Sequence, residues 1–175
     1  MDKFIAIPES NKPNKVPVFQ QTQSTGLTYY VSQIHTPQGY IRMVAMNTAI
    51  IQIKFYEDSI TENQNSISEL AKAQMQEYIT GHLTQFDLPL APKGTYFQRL
   101  VWQQLLNVAY GKTASYLDIA TAINNPKACR AVGAANGKNP IAIVIPCHRI
   151  IGANGSLTGY AGGLARKSFL LSLES

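Results

Sequence analysis

Pro146-Cys147-His148-Arg149 is the segment of this 175-residue chain whose residue types and spacing could do chemistry. It follows Asn139-Pro140 and the run Ile141-Ala142-Ile143-Val144-Ile145, apolar and mostly β-branched, which reads as a buried strand or extended segment. A cysteine emerging from such a run beside a histidine and an arginine can serve as a nucleophile, because the thiolate is the reactive form and nearby positive charge stabilises it. An inert buried cysteine next to a surface histidine would have the same sequence, and in a strand adjacent side chains point to opposite faces. Spacing alone leaves both readings open. Cys129, the second cysteine, reads as a packing residue, and neither cysteine sits in a Cys-x-x-Cys or His-rich cluster. No metal site is expected.

The elements that must position Cys147 fall into two units. Met1 to Ser24 is rich in Pro, Lys, Asn and Gln and reads as a loose lead-in. Leu27–Ile34, Tyr40–Met46 and Ala49–Tyr56, separated by Pro37-Gln38-Gly39 and Asn47-Thr48, predict three antiparallel strands. Apolar residues at Ile67, Leu70, Ala71, Met75, Tyr78 and Ile79 predict a helix from Ser66, stopped near Gly81, that packs on the sheet. Phe86–Leu90 reads as a short strand, and Ala91-Pro92-Lys93-Gly94 as a boundary between domains at 1–91 and 92–175.

The second unit is mainly helical. Thr95 can cap a helix with an apolar stripe of Phe97, Leu100, Val101, Leu105 and Val108, ended by Tyr110-Gly111. Trp102 on that helix reads as core. Ser115 caps a second helix that buries Leu117, Ile119, Ala120 and Ile123, and Pro126 opens a third, running to about Asn136. Two short helices joined by Asn124-Asn125 form a helix-turn-helix pattern, although any helical hairpin looks alike in sequence. The third helix is nearly smooth, with Ala128, Ala131, Gly133, Ala134 and Ala135, and projects mainly Lys127 and Arg130. Such a surface has little with which to read bases, but it lets a backbone approach a groove closely while one long side chain enters the base stack.

Charge separates the halves as well. Residues 1–90 carry six Lys/Arg against eight Asp/Glu, whereas 91–175 carry nine Lys/Arg against only Asp118 and Glu174. A module at +7 attracts polyanions through counterion release, though a basic solubilising surface would look the same. With 45% hydrophobic and 14% charged residues the chain has enough apolar content for a packed core, and no apolar stretch approaches the roughly 20 residues needed to cross a bilayer. A cytoplasmic protein, or a nuclear one in a eukaryote, is the expectation. No Gly-rich phosphate-binding loop follows a strand, so no cofactor is expected.

Three strings taken together carry a resemblance: N-P-K-A-x-R-A-V-G-A-A-N-G-x-N-P at Asn125–Pro140, I-P-C-H-R-I at Ile145–Ile150, and G-S-L-T-G-Y-A-G-G-L at Gly155–Leu164. They resemble the O6-alkylguanine-DNA alkyltransferases over Phe86 to Glu174, about half the chain. The resemblance implies an RNase H-like α/β N-terminal domain and a mainly α C-terminal domain with a helix-turn-helix of the winged-helix type. It implies irreversible, single-turnover transfer of an alkyl group from O6-methylguanine, and from O4-methylthymine, in double-stranded DNA, by a monomer binding without sequence preference. The nucleotide would be flipped out from the minor-groove side, because a thiolate cannot reach a base inside the duplex.

The same resemblance implies residue roles. Cys147 would accept the alkyl group, His148 would take its proton through a water, and Glu174 would orient that imidazole. Asn139 would brace the active-site segment, and Tyr116 would help rotate the nucleotide's phosphate and donate to the guanine ring. Arg130 would fill the gap left in the stack, with Lys127, Ala128, Ala131, Gly133 and Ala135 along the groove. The backbone at Cys147 and Ile150 would hold the base, covered by Tyr160, Ala161 and Gly162. Asn154-Gly155 alone would suit a plain hairpin, whereas the cluster Gly159, Gly162 and Gly163 suits a flexible lid. Glu174 is the penultimate residue, and a chain end frays unless tied down. Ala161 stands where some relatives have serine.

Overall fold

The structure, a computed structural model, describes residues 28–175. The lead-in Met1–Ser24 and Leu27 lie outside the described residues. Strands β1 (Tyr30–Thr36), β2 (Gly39–Ala45) and β3 (Ile50–Tyr56) form an antiparallel meander. Alternation places Ser32, Ile34 and Thr36 of β1 and Ile41, Met43 and Ala45 of β2 on the buried face. A register shift at Val44/Ala45 changes the phase of β3, so that Ile50 and Ile53 both point inward. Helix α1 (Ser66–Ile79) covers that face with Ala71, Met75 and Tyr78, opened by a capping box between Asn65 and Ser68.

The strand expected at Phe86–Leu90 is reduced to one parallel bridge, between Leu90 and Ile50. A second short stretch, Pro140–Ala142, joins the same edge of β3 through Ile53 N to Pro140 O (2.9 Å) and Ala142 N to Ile53 O (3.0 Å). Each stretch carries a proline, Pro89 or Pro140, which has no N–H to extend a ladder. The edge of the N-terminal sheet therefore holds the segment leading to Cys147.

Beyond it lie α2 (Tyr96–Leu105), β4 (Ala114–Ser115), α3 (Tyr116–Ala122), a 3-10 turn at Pro126–Ala128, α4 (Cys129–Gly137), a 3-10 turn at Cys147–Arg149, β5 (Ile150–Ile151) and α5 (Leu164–Leu173). Thr95 and Ser115 cap their helices as expected, and each closes a capping box, with Gln98 and Asp118 respectively. The third predicted helix divides into the Pro126 turn and α4. Asn124, with φ of 57°, makes the left-handed turn before it. Helix α2 ends at Leu105 rather than at Tyr110-Gly111, and the Val108 carbonyl beyond it accepts from Arg149 Nη1 at 2.6 Å. Helix α5 was not anticipated.

Three residues expected inside, Leu70, Leu100 and Leu117, are exposed. Successive helical residues are rotated by ~100°, and neighbours fix the inward face. In α2 that face is set by Val101, Trp102 and Leu105, with Trp102 Nε1 donating to Ala135 O at 2.8 Å. Leu100 is left on the far side. Gly94 is required beneath this indole, because a Cβ there would overlap the ring.

Candidate active site

The run Ile141–Ile145 is buried apart from half-buried Ala142, as its composition predicts, but it is not a strand. It doubles back in a tight turn, with Ile145 N bonded to Ile141 O at 3.0 Å and Ile143 at φ 74°. A β-branched residue is strained in the left-handed region, so the surroundings must hold it there. Asn139 does so from both ends: Nδ2 donates to Ile145 O (2.7 Å) and Oδ1 accepts from Ile141 N (3.0 Å). Chain direction is then reset at Pro146, and Cys147-His148-Arg149 forms a 3-10 turn rather than the end of a strand. Neighbouring side chains of a 3-10 turn are ~120° apart rather than the ~180° of adjacent strand positions, and His148 reaches Glu174 while Cys147 faces a cavity.

That cavity, of about 250 Å³, is bounded by Cys147, Asn136 and Asn139, by Tyr160, Ala161 and Gly162 of the covering loop, and by Phe55 of β3. Its size is just below the ~300 Å³ lower limit of ordinary small-molecule sites, which suits one flat ring system. Cys147 is only 4% exposed. Burial pushes its thiol up to about 11, against the opposing influence of the Asn139 side chain and the charge of Lys167. The resting group is therefore a thiol, and reaction requires a base.

His148 can be that base. Burial holds its pKa below the ordinary value, outweighing the hydrogen bond and charge of Glu174, so the imidazole is neutral at rest. Nε2 lies 2.9 Å from Glu174 Oε1, which fixes the proton on Nε2 and leaves Nδ1 as the acceptor. Nδ1 is buried with no protein partner, a position a bridging water would satisfy.

Glu174 does not fray. It is 5% exposed and accepts from Arg149 Nε and Nη2 (both 2.9 Å), from Tyr78 O–H (2.7 Å) and from Gly111 N (3.3 Å) besides His148. Burial alone would raise its pKa, but the donors from His148, Arg149 and Tyr78 together hold the carboxyl well below the usual range. Arg149 is thus committed to Glu174, correcting the expectation that it stabilises a thiolate at Cys147. The cation coupled to Cys147 is Lys167 of α5, fully buried, with Nζ donating to Ile150 O and to Thr158 O (2.6 Å).

Other expected residues lie around this centre. Tyr116 stands at the start of α3 with its hydroxyl 3.3 Å from Thr158 O of the covering loop, and is not in the cavity wall. Ile150 is buried in β5, outside the wall, with its carbonyl engaged by Lys167. Lys127, Arg130 and Ala131 are exposed, Ala128 and Gly133 half-buried, and Gly133 packs near the Tyr116 ring. Ala135 is the exception. It faces inward against Trp102 and cannot line a groove. In the covering loop Asn154-Gly155 makes a turn, closed by Gly152 N to Ser156 O at 2.9 Å, without flanking strands. Among the described residues no cluster of His, Cys, Asp or Glu could hold a metal ion, and no helix is long and apolar enough to cross a membrane.

Sequence reasoning missed Tyr78, Asn136 and Lys167 and the true partner of Arg149. Asn136 Nδ2 donates to the Cys147 carbonyl at 3.3 Å. A lysine within the apolar Leu164–Leu173 stretch was a usable signal for burial, whereas Tyr78 looked like any apolar-face residue.

Residues 96–175 match the family described as 6-O-methylguanine DNA methyltransferase, DNA binding domain. A methylated-DNA–protein-cysteine methyltransferase of Methanosarcina acetivorans is 56% identical over 117 residues, covering 67% of this chain and 74% of that protein. The chain belongs to the methylated-DNA–protein-cysteine methyltransferases. The crystal structure of Mycobacterium tuberculosis O6-methylguanine methyltransferase superposes on this methyltransferase with a TM-score of 0.76 at 41% identity, over 84% of this chain and 93% of that one. A structure described as Mycobacterium tuberculosis OGT in complex with DNA gives 0.75 at 43% identity, over 81% and 90%. The mixed α/β architecture of the methyltransferase is that of these neighbours.

Proposed function

We propose that this protein repairs alkylated DNA by moving the alkyl group of O6-methylguanine onto Cys147, once per molecule. The observation that carries the reading is a buried thiol facing a base-sized cavity beside a neutral histidine held by a carboxylate, in a chain of this family. In the reaction the Cys147 S–H proton passes through a water to His148 Nδ1, and the sulfur pair forms a bond to the methyl carbon. The carbon–O6 bond breaks, its pair goes to guanine, and a donor such as the Tyr116 hydroxyl neutralises the leaving base. His148⁺ is stabilised by Glu174. A thioether is a poor leaving group and no adjacent group is suited to cleave it, so the reaction stops after one turn.

The cavity can be entered only by a base taken out of the stack. Helices α3 and α4 supply a helix-turn-helix with an exposed, small-residue surface from Lys127 to Ala134, and Arg130 projects from it to fill the vacated stack. Binding follows phosphates and the minor groove rather than base edges, by a monomer acting in the cytoplasm. O4-methylthymine is a second substrate. Domains at 1–91, RNase H-like, and 92–175, with the winged-helix type of DNA-binding unit, divide the labour between support and chemistry.

Duplex DNA carrying a labelled O6-methyl group tests this. Label should pass to the protein and saturate at one per molecule, and Cys147→Ala should bind the duplex but take no label. Binding by the wild type without transfer would mark a lesion sensor, and continued release of product would mark a hydrolase. Either outcome overturns the proposal.

A further inference from the structure

One oxygen of the Glu174 carboxylate is more crowded than its role toward His148 requires. Oε1 accepts from His148 Nε2 (2.9 Å), from Arg149 Nη2 (2.9 Å) and from the hydroxyl of Tyr78 (2.7 Å), which lies 96 residues away in α1. A carboxylate oxygen has about two lone-pair sites, so three donors compete and each bond is weaker than it would be alone. Tyr78 is fully buried and held by Phe86 and Tyr110, whose ring centroids lie 5.2 and 6.2 Å away. Burial, and next the charge of Glu174, push its phenol far above the ordinary value, so it is a donor at every working pH.

We propose that Tyr78 is a positioning residue for the transfer: its O–H, bound to the oxygen that also accepts from His148, draws negative charge away from the imidazole and keeps His148 uncharged until Cys147 gives up its proton. The N-terminal unit, which carries no catalytic constellation of its own, then reaches the Glu174–His148 pair through the Tyr78 hydroxyl. The groups facing this pair are Arg149 of the 3-10 turn, Lys167 of α5, Tyr110 after α2, the Gly111 N–H and Tyr78 itself. Arg149 and Lys167 disfavour the imidazolium, Glu174 favours it, and Tyr78 acts by moderating Glu174.

The inference rests on His148 being the base for Cys147, and its test has two arms. In the first, Tyr78→Phe and wild type react with free O6-benzylguanine from pH 5 to pH 8, and the ratio of their rates is followed. Freed of one donor, Oε1 binds the His148 Nε2–H more strongly and the imidazole charges more readily. A rise of ~0.5–1 pH unit would lower the variant's relative rate about three- to ninefold at a pH one unit below the wild-type inflection. A rate ratio that does not change with pH means Tyr78 is packing only and overturns the proposal.

The second arm needs no transfer, and so separates failure of this proposal from failure of the proposed function. In a Cys147→Ala background the proton resonance of His148 Nε2–H should move downfield on Tyr78→Phe. It should move upfield when 3,5-difluorotyrosine, a stronger donor of nearly the same size, is placed at 78. The second substitution keeps the test available should Tyr78→Phe fail to fold. A resonance that stays in place in each folded variant overturns the proposal.

Discussion

Glu174→Gln replaces a carboxylate whose two oxygens face only donors. Oε1 meets His148, Arg149 and Tyr78, and Oε2 meets Arg149 Nε and Gly111 N, so an amide NH2 at either position opposes an N–H or O–H. The substitution also leaves the buried Arg149 guanidinium without its counter-charge. Breaking a buried pair in this way costs ~3–5 kcal/mol. At ~2–4 °C per kcal/mol for a chain of this size, Tm should fall by roughly 6–20 °C. Calorimetry at pH 7 reads the change, with far-ultraviolet circular dichroism to confirm a native fold below the transition. The sign with pH is also fixed. The folded carboxyl lies below its ordinary value, so its stabilising contribution is present above the unfolded pKa of ~4.3 and is lost as pH falls through the folded value. The wild type should therefore lose its advantage over Glu174→Gln progressively below about pH 5. A variant melting within ~2 °C of wild type at pH 7 would refute the reasoning (~2 °C being at most about 1 kcal/mol).

Three further outcomes follow from the same geometry. Cys147, raised to about 11 by burial, should react with iodoacetamide in the folded protein at a rate that climbs steeply above pH 8, and a plateau by pH 8 would show a thiolate at rest. Asn139→Ala leaves Ile141 N without its partner and Ile145 O with only the Cys147 N–H, and should cost about 1–3 kcal/mol for the orphaned buried N–H, read by urea denaturation. Arg130→Ala should slow repair of duplex DNA far more than reaction with free O6-benzylguanine, since only the duplex requires extrusion, and equal slowing of both would make Arg130 structural.

Local physics made much of this fold legible. Thr95 and Ser115 begin helices because each can satisfy an orphan N–H three residues on, information contained within four residues. The meander follows from alternation and turn residues in the same way. What remained hidden depends on distant partners. Ile141–Ile145 has strand composition, yet Asn139 and the edge of β3 fold it into a turn. Ala135 belongs to a smooth helix surface in sequence, and only the Trp102 indole shows that it faces inward. Cys147 and His148 announce themselves by proximity, whereas Glu174 came from resemblance; Tyr78 had no local signal of its role because its partner lies 96 residues away, and Lys167 signalled its burial but not the carbonyls of Ile150 and Thr158 that it meets. A polar group's chemistry is set by what it meets across the fold.

The central claim is that the Cys147 sulfur takes carbon from a damaged base and keeps it. After incubation with duplex DNA containing O6-methylguanine and proteolysis, the peptide containing Cys147 should be heavier by one methylene, with the Cys129 peptide unchanged. A Cys147 peptide of unaltered mass, after the methyl group has left the DNA, would contradict it.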